Sequence, residues 1–500
     1  MMGKYVISID QSTQGTKILL FDDIGNIAYK ASKSHQQLVN EQGWISHNLE
    51  EIYRNVITLV NDMVATIHIP LSEIVGIGIS DQRETAAAWQ KQTGQSLGNA
   101  IVWQDSRATD LVNALDQRGV AKAVKAKTGL TLSPYFSAAK FAWMLQNRPE
   151  IKAAAKNDNL CFGTIDSWLL FRLTNGKSFK TEPSNASRTQ LFNIKQMQWD
   201  PELCTLFGIP QTALPEVVSS NFLFGETDFE GILPNPIPIH CMLGDSQAAL
   251  FGQNCWETGD VKATIGTGSS VMMNIGGQPV ITDETVTSIG WKINGKTTYV
   301  AEGNINYAGA VISWLVNDLK LISSPADTEK LARQAAKSDQ TYLVPAFTGL
   351  GAPYWDSSAK AILVGMTRTT GQAEVVRAGL ESIAYQIDAI LSALEAATGK
   401  KANQLKVDGG VTANSYLMQF QSDLSNITVS VADVEELSAL GVALCAGQSL
   451  MVYTHESKAV MHYHQYHPQI ATMERKNRRS GWQKAIQLDT SAAKQESVQH

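Results

Sequence analysis

The sequence predicts an α/β protein with two halves that are built alike, and three observations support this prediction. Helical and strand-like patterns alternate along most of the chain, as they do in α/β folds. The chain has 500 residues, which is too long for one ordinary core and indicates two domains. Two similar strand–turn–strand units also lie about half a chain apart, and they form a weak internal repeat.

The two repeated units each place a turn of small polar residues between strand-like runs. The first unit covers residues 4–21 with its turn at 10–16, and the second covers residues 260–275 with its turn at 266–270. Both are typical of hairpins. Because the units begin the two halves, we place the boundary between the halves near residues 250–256.

The second half continues with a long helix and another strand. Apolar residues at spacings of three and four predict a helix over residues 372–398, and Gly399 stands where a C-terminal cap belongs. Residues 405–407 then predict a strand that leads directly into Gly409-Gly410.

Composition restricts the partners and the compartment. Lys and Arg number 41 against 47 Asp and Glu, so the net charge is −6, and we expect no face for nucleic acid or an anionic membrane. Five scattered cysteines, without a CxxC pair or metal-ligand spacing, indicate reduced structural thiols in a cytoplasmic protein. Neither a signal-peptide core nor an apolar run of roughly 18 residues occurs, so we predict no membrane segment.

Three glycine-containing turns suit phosphate binding, because backbone N–H groups in such turns can point together at one anion. They are the turns at 10–16 and 266–270 and the Gly409-Gly410 site, each of which follows a strand. Any one of them alone is most often an ordinary hairpin, but three together favour a nucleotide-binding protein. No GxxxxGK[ST] motif occurs, which argues against a P-loop enzyme.

Several single positions allow two interpretations. Asp10 ends the first strand and is either a carboxylate near Mg²⁺ or a turn former. Asp245 begins a small-residue helix and is either a general base or a helix cap. Arg83 and Glu84 either hold substrate hydroxyls or form a solvated loop pair. Trp103 either packs on the C–H face of a polyol or lies in the core.

Taken together, the motifs resemble those of the FGGY carbohydrate kinases, and among them the glycerol kinases. The similarity extends from about residue 4 to residue 450. The segments that carry it are 81–85 (DQRET), 99–104 (NAIVWQ), 135–144 (YFSAAKFAWM), 162–169 (FGTIDSWL), 184–189 (SNASRT), 345–356 (PAFTGLGAPYWD), 407–410 (VDGG) and 419–423 (QFQSD). The resemblance implies two actin-like, ribonuclease H-like α/β domains that flank a central cleft.

The resemblance also implies a division of labour. Residues 1–251 would form the N-terminal domain that binds the polyol or sugar, and residues 252–450 the C-terminal domain that binds ATP. Residues 451–500 would form a C-terminal extension, with disorder in about its last ten residues. The protein would be a cytoplasmic homo-oligomer, either a dimer or a tetramer.

The resemblance assigns roles to individual residues. Asp245 matches the catalytic base, and Asp10 and Asp245 match carboxylates near Mg²⁺. The residues implied for the substrate are Arg83, Glu84, Trp103, Tyr135, Asp245, Ser246 and Ser270. Those implied for ATP are Thr13, Gln14, Thr267, Gly309, Ser313, Gly410 and Asn414. The implied reaction is ATP- and Mg²⁺-dependent phosphorylation of a small polyol or sugar, in the first place of glycerol to glycerol 3-phosphate.

Four departures from the glycerol kinase pattern leave a second substrate class open. Ser246 stands where glycerol kinases have glutamine, and Ser270 where they have an aromatic residue that packs on the glycerol carbons. The loop at 11–17 is closer to the xylulokinase style, and residues 105–107 (DSR) replace a Cys-Arg-Arg-like run. A wider, more polar pocket relaxes size discrimination, so the alternative is a kinase for a tetritol or for a ketose such as xylulose or ribulose.

The loop at residues 229–234 bears on regulation. It lacks both the Gly/Arg-rich sequence that binds fructose 1,6-bisphosphate in some glycerol kinases and the histidine that is phosphorylated in others. We therefore expect neither control at this site.

Two rival classes would share the fold. A non-catalytic sugar-binding member would not need Asp10, Asp245 and both phosphate turns. An actin-like chaperone or cytoskeletal ATPase would have no use for Arg83-Glu84, Trp103 and Tyr135, and it would hydrolyse ATP without added polyol.

Overall fold

A computed structural model describes residues 3–454 and 461–496, with side chains described as far as residue 489. The strands in these ranges are β1 (Tyr5–Gln11), β2 (Gly15–Phe21), β3 (Ile27–Ser34), β4 (Gln37–Val39), β5 (Ile45–His47), β6 (Ile74–Asp81), β7 (Ala87–Gln90), β8 (Ala100–Ile101), β9 (Leu160–Gly163), β10 (Lys180–Thr181), β11 (Phe192–Asn193), β12 (Gln198–Trp199), β13 (Glu216–Val217), β14 (Gly225–Thr227), β15 (Ile237–Gly244), β16 (Val261–Ile265), β17 (Ser269–Gly276), β18 (Val286–Ile293), β19 (Lys296–Ile305), β20 (Tyr342–Val344), β21 (Ile362–Val364), β22 (Leu405–Asp408), β23 (Val429–Ala432) and β24 (Tyr463–Tyr466).

The α-helices in the same ranges are α1 (Leu49–Thr66), α2 (Thr109–Gln117), α3 (Ala121–Thr128), α4 (Ser137–Asn147), α5 (Pro149–Lys156), α6 (Ile165–Leu173), α7 (Pro183–Ala186), α8 (Pro201–Phe207), α9 (Asp245–Gly252), α10 (Gly309–Asn317), α11 (Asp327–Gln334), α12 (Gln372–Thr398), α13 (Ser415–Ser425), α14 (Leu437–Ser449) and α15 (Thr472–Glu496). Helix α12 ends at Gly399 in the left-handed conformation, with φ +66°, as the sequence predicted.

Two large mixed sheets organise the fold and confirm the predicted α/β class. The first has six strands in the order β14-β15-β6-β1-β2-β3, and the second has seven in the order β18-β19-β17-β16-β22-β23-β24. Strand β1 is antiparallel to β2 and parallel to β6, and β16 is likewise antiparallel to β17 and parallel to β22. The repeated hairpin therefore reflects one arrangement that is built twice.

Apolar faces of the strands explain the layering. All residues of β1 except Tyr5 are buried, as is usual for a strand that is covered on both faces. Helix α1 contacts β2 and β3, and helix α12 contacts β17 and β19 in the second sheet. The two sheets thus carry helices of their own.

Helix α14, from late in the chain, packs on the first sheet rather than the second. It contacts β1, β6 and β15 and crosses α9. The crossing is close because Gly441 has no side chain: a Cβ atom there would lie 1.9 Å from the carbonyl oxygen of Ala248. This helix therefore ties the two parts of the chain together.

The C-terminal extension is part of the second half of the fold. Strand β24 pairs antiparallel with β23. In α15, the indole ring of Trp482 stacks on Tyr385, with ring centroids 5.0 Å apart. The sequence predicted disorder in about the last ten residues, but helix α15 continues to Glu496. The rest of that prediction concerns residues 497–500, which lie outside the described residues.

Within the described ranges, no helix has the length and apolar character needed to cross a membrane. All five cysteines are free and buried, which agrees with a structural role.

Candidate active site

The strand ends determine where the functional residues meet. Strands β6 and β15 run parallel to β1 and β6 respectively, and their registers place Gln11 beside Asp81 and Gly244 beside Asp81. The carboxyl ends of the three strands therefore share one edge of the first sheet, the edge at which α/β proteins bind ligands. Asp10 precedes one of these ends, and Asp245 follows another.

Three adjoining cavities lie at this site: two are lined by residues of both halves, and the third only by residues of the second half. The first, named the polyol cavity after the ligand that the resemblance implies for its residues, measures about 610 Å³. The second, the phosphate cavity, measures about 840 Å³ and shares Asp245, Ser246 and Ser270 with the first. The third, the nucleoside cavity, measures about 520 Å³; it shares Thr267 with the polyol cavity and Gly410 with the phosphate cavity.

All seven residues expected to hold the substrate line the polyol cavity. They are Arg83, Glu84, Trp103, Tyr135, Asp245, Ser246 and Ser270. Arg83 and Glu84 leave only 7% and 2% of their surface exposed, so the alternative of a solvated loop pair is wrong. The half-buried Trp103 lies 5.4 Å from Tyr135 between ring centroids and donates from Nε1 to Thr13 Oγ1 at 2.9 Å.

A buried charge network contacts three residues that line this cavity, Arg83, Glu84 and Ser270. Glu302, on β19, is fully buried and accepts from Arg188 at 2.9 Å, from Arg83 at 3.4 Å and from the Ser270 hydroxyl at 2.7 Å. Arg188 also donates to Glu84. Burial alone would raise the pKa of Glu302, but Arg83, Arg188 and the Ser270 hydrogen bond outweigh it and lower that pKa to about 2. Glu302 is therefore an anionic anchor for two cations from the first half.

Asp245 lies where the polyol and phosphate cavities meet. It is the first residue of α9, with Gly244 in the cap position, so the alternative of a helix cap is wrong. One carboxylate oxygen lies 3.1 Å from Arg83 Nε and accepts from the Ser246 backbone N–H at 2.6 Å. The side chain is still 35% exposed. Its carboxylate is thus oriented by Arg83 and reachable from both cavities.

Asp10 lines the phosphate cavity, deep in the cleft. It is 7% exposed. Burial raises the pKa of Asp10 to about 6, although Lys17 counteracts this, and the nearby Asp245 raises it further. A cation bound between the two carboxylates would favour the charged form of Asp10.

The donor set at this point fits Mg²⁺ in the way that phosphoryl-transfer enzymes hold it. Mg²⁺ is usually bound by one or two carboxylates together with substrate phosphates, rather than by an all-protein cage. Asp10 and Asp245 supply two such carboxylates. Among the described residues, no group of three or more His, Cys, Asp or Glu side chains is arranged to hold a metal.

The nucleoside cavity collects five of the seven residues expected at ATP. These are Thr267, Gly309, Ser313, Gly410 and Asn414. A Cβ atom on Gly410 would meet nothing within 4 Å, so the backbone there faces open space that a ligand can fill. The preceding Gly409 has φ +100°, and a Cβ atom would lie 2.4 Å from the carbonyl oxygen of Ile265. Glycine is therefore required at this turn.

The two remaining residues expected at ATP lie on the first hairpin turn. Thr13 lines the polyol cavity. Gln14 is exposed and lines none of the three cavities. The first turn therefore presents Thr13, and not Gln14, to the cleft in this conformation.

Sequence reasoning missed several groups that the fold brings to the site. Lys17 and Lys262 line the phosphate cavity, and Lys17 pairs with Glu436 at 2.6 Å. Arg188 and Glu302 make the buried network. One feature of the sequence could have identified Glu302: it is a charged residue directly after the apolar run Tyr299–Ala301 of a strand.

Comparison with known proteins agrees with this geometry. The model of the FGGY family of carbohydrate kinases, N-terminal domain, matches residues 5–252, and that of the C-terminal domain matches residues 261–450. Glycerol kinase 1 of Thermotoga maritima is 44% identical over 486 residues, which cover 96% of this chain and 99% of that protein. Glycerol kinase of Alcanivorax borkumensis is 43% identical, with 96% and 97% covered.

Solved structures give the same result. The crystal structure of Plasmodium falciparum glycerol kinase with ADP superposes with a TM-score of 0.92 and 35% identity, over 97% of this chain and 98% of that one. A ligand-bound xylulose kinase from Lactobacillus acidophilus superposes with a TM-score of 0.88 at 22% identity, covering 98% of each chain. The second likeness concerns the fold alone.

Proposed function

Because the chain belongs to the FGGY family of carbohydrate kinases, we propose that it transfers the γ-phosphoryl group of ATP to a hydroxyl of glycerol, giving glycerol 3-phosphate. The observation that supports this most strongly is the position of Asp245 on the wall shared by the polyol and phosphate cavities. A base there can reach a hydroxyl on one side while a phosphoryl group lies on the other.

The proposed step uses Asp245 as the general base. The hydroxyl oxygen of glycerol forms a bond to the γ-phosphorus, the bond between that phosphorus and the β–γ bridging oxygen of ATP breaks, and ADP leaves. The hydroxyl proton passes to Asp245, whose carboxylate Arg83 orients at 3.1 Å. When bound, Mg²⁺ would neutralise charge on the phosphate oxygens, held by Asp10 and Asp245.

Substrate positioning supplies much of the remaining acceleration. Arg83, Glu84 and Tyr135 offer polar groups to the hydroxyls, and Trp103 offers an apolar face to the carbon chain. Gly266 and Gly268 of the second hairpin turn line the phosphate cavity, so this turn would lie beside the phosphates. Holding both reactants in line replaces a bimolecular encounter by a unimolecular step.

The division of labour follows from the two sheets. We propose that residues 1–251 bind the polyol and that residues 252–450 carry most of the ATP site. The lining of the nucleoside cavity, which comes from residues 265–414, supports this. A cytoplasmic homo-oligomer and the absence of both controls at the 229–234 loop stay predictions of the family resemblance.

A longer polyol or ketose is the second candidate substrate. Ser270, Asn304 and Asn306 form a polar wall of the polyol cavity, and Ser246 is short. These side chains offer hydrogen bonds instead of an apolar surface, which suits hydroxyls beyond the third carbon.

A coupled ADP-release assay with Mg-ATP tests the proposal. The acceptor panel is glycerol, erythritol, threitol, xylitol, dihydroxyacetone, xylulose, ribulose and gluconate. We expect turnover on glycerol well above all others, and none when EDTA removes the metal. A preference for four or five carbons would favour the second candidate. ATP hydrolysis that ignores added polyol would contradict both.

A further inference from the structure

A fully buried glutamine, Gln82, lies between the first hairpin turn and the wall of the polyol cavity. Its Nε2 donates to Gln11 Oε1 at 3.0 Å and to the Ser12 carbonyl oxygen at 3.2 Å, and lies 3.4 Å from His47 Nδ1. A carbonyl oxygen only accepts, so the Ser12 contact fixes which end of the carboxamide faces the turn. Because the two Nε2 hydrogens serve Gln11 and Ser12, the neutral His47 ring, whose pKa burial lowers to about 3, is a polar neighbour of the carboxamide and not a third acceptor.

The other end of the carboxamide reaches the polyol wall. Gln82 Oε1 accepts from the Thr85 hydroxyl at 2.9 Å. The same hydroxyl accepts from the backbone N–H of Trp103 at 3.2 Å, and the Trp103 indole N–H donates to Thr13 Oγ1 at 2.9 Å. The contacts therefore form a closed ring from the phosphate turn, through Gln82, Thr85 and Trp103, back to the phosphate turn.

The ring encloses the two charged residues that face the substrate. Arg83 and Glu84 lie between Gln82 and Thr85 in the chain, and Glu84 has φ +63°, a conformation that a non-glycine residue adopts only when its surroundings hold it. Gln82 and Thr85 are both fully buried and line none of the three cavities. They act through their neighbours.

We propose that the Gln82 carboxamide is a positioning group that couples the polyol pocket to the phosphate turn. A polyol that contacts Trp103 and Arg83 restricts the motion of these side chains. The ring of hydrogen bonds then passes this restriction on to Ser12 and Thr13. The turn is then held in the conformation that receives the phosphates. The inference rests on the proposed function, since it requires that both ligands bind in this cleft.

The test measures binding coupling in Gln82→Met, which keeps the length of the side chain and removes both hydrogen-bonding ends. In the unchanged protein, glycerol should raise the affinity for the Mg²⁺ complex of a non-hydrolysable ATP analogue by about 5–150-fold, the range of coupled sites. In Q82M this factor should fall to about 1, with a raised KM for glycerol. Thr85→Val opens the ring elsewhere, so the double variant should lose little more than either single one.

A matched control separates positioning from stability. Gln421, on α13, is also fully buried, donates to Ser425 at 2.7 Å and lines none of the three cavities. Gln421→Met removes a buried carboxamide of the same size that lies outside the ring, and it should leave the coupling factor unchanged.

The inference alone would be overturned by a full coupling factor in Q82M or by an equal loss of coupling in Gln421→Met. A factor of about 1 in the unchanged protein would also refute it. Failure of the unchanged protein to phosphorylate any polyol would instead refute the proposed function, and this inference with it.

Discussion

Replacing Glu302 by glutamine tests the buried charge network. The substitution keeps the size of the side chain but removes the anion that compensates Arg83 and Arg188. A pKa lowered from the ordinary value of 4.5 to about 2 corresponds to about 3 kcal/mol of stability at neutral pH. Loss of one partner of a buried ion pair costs about 3–5 kcal/mol, so both routes give an effect of the same size.

The free energy of unfolding from urea titration at pH 7 should therefore fall by about 3 kcal/mol in Glu302→Gln. The sign of the pH dependence follows from the lowered pKa. The contribution is fully present above about pH 4.5 and is lost as the pH falls towards about 2, so the variant and the unchanged protein should converge in acid. The KM for glycerol should rise, because Arg83 loses an anchor.

Glu474→Gln is the matched control for Glu302→Gln. Glu474 pairs with Arg478 on one face of α15 and is half exposed. Exposed pairs of this kind are worth about 0.3–0.5 kcal/mol. If the free energy of unfolding falls by less than about 1 kcal/mol in Glu302→Gln at pH 7, the reasoning is contradicted. It is also contradicted if the variant and the unchanged protein still differ in this free energy at low pH.

Three further predictions concern single positions. Because the pKa of Asp10 is raised to about 6 and a metal ligand must be ionised, the Mg²⁺ concentration for half-maximal rate should rise as the pH falls below about 6. Asp10→Asn should flatten that profile, and an identical profile would exclude Asp10 as a ligand. Ser270→Phe should narrow the acceptor range towards glycerol in the ADP-release assay, and an unchanged range would count against a role for this wall. Gly441→Ala should cost about 1–3 kcal/mol in unfolding, since its Cβ atom would lie 1.9 Å from the Ala248 carbonyl oxygen; unchanged stability would show that α9 and α14 are not tightly apposed.

Local signals in the sequence predicted much of the fold. The periodic apolar pattern and Gly399 predicted helix α12 with both of its ends correct. The two hairpins and the strand before Gly409 were also predicted to within two residues at each end. These elements are specified by residues that are neighbours in sequence, so periodicity and turn chemistry suffice.

Contacts between distant residues were not predictable in the same way. Glu302 binds Arg83 and Arg188, which lie more than a hundred residues earlier in the chain. Helix α14 packs on the first sheet although the intervening chain builds the second. No local pattern encodes such pairings, because they depend on how the two halves are arranged. All the residues that the family resemblance assigned to the site, except Gln14, line the cavities. The resemblance did not identify the residues that hold them in place.

The most direct test of the account is the turnover of Asp245→Asn, measured with saturating Mg-ATP and glycerol next to the surface control Asp318→Asn. The amide cannot accept the proton, so we expect turnover to fall by about 10²–10⁴-fold, with the affinity for Mg-ATP within a few-fold of normal. The control should be fully active. Near-normal turnover in Asp245→Asn would remove Asp245 from the role of base and contradict the proposed mechanism.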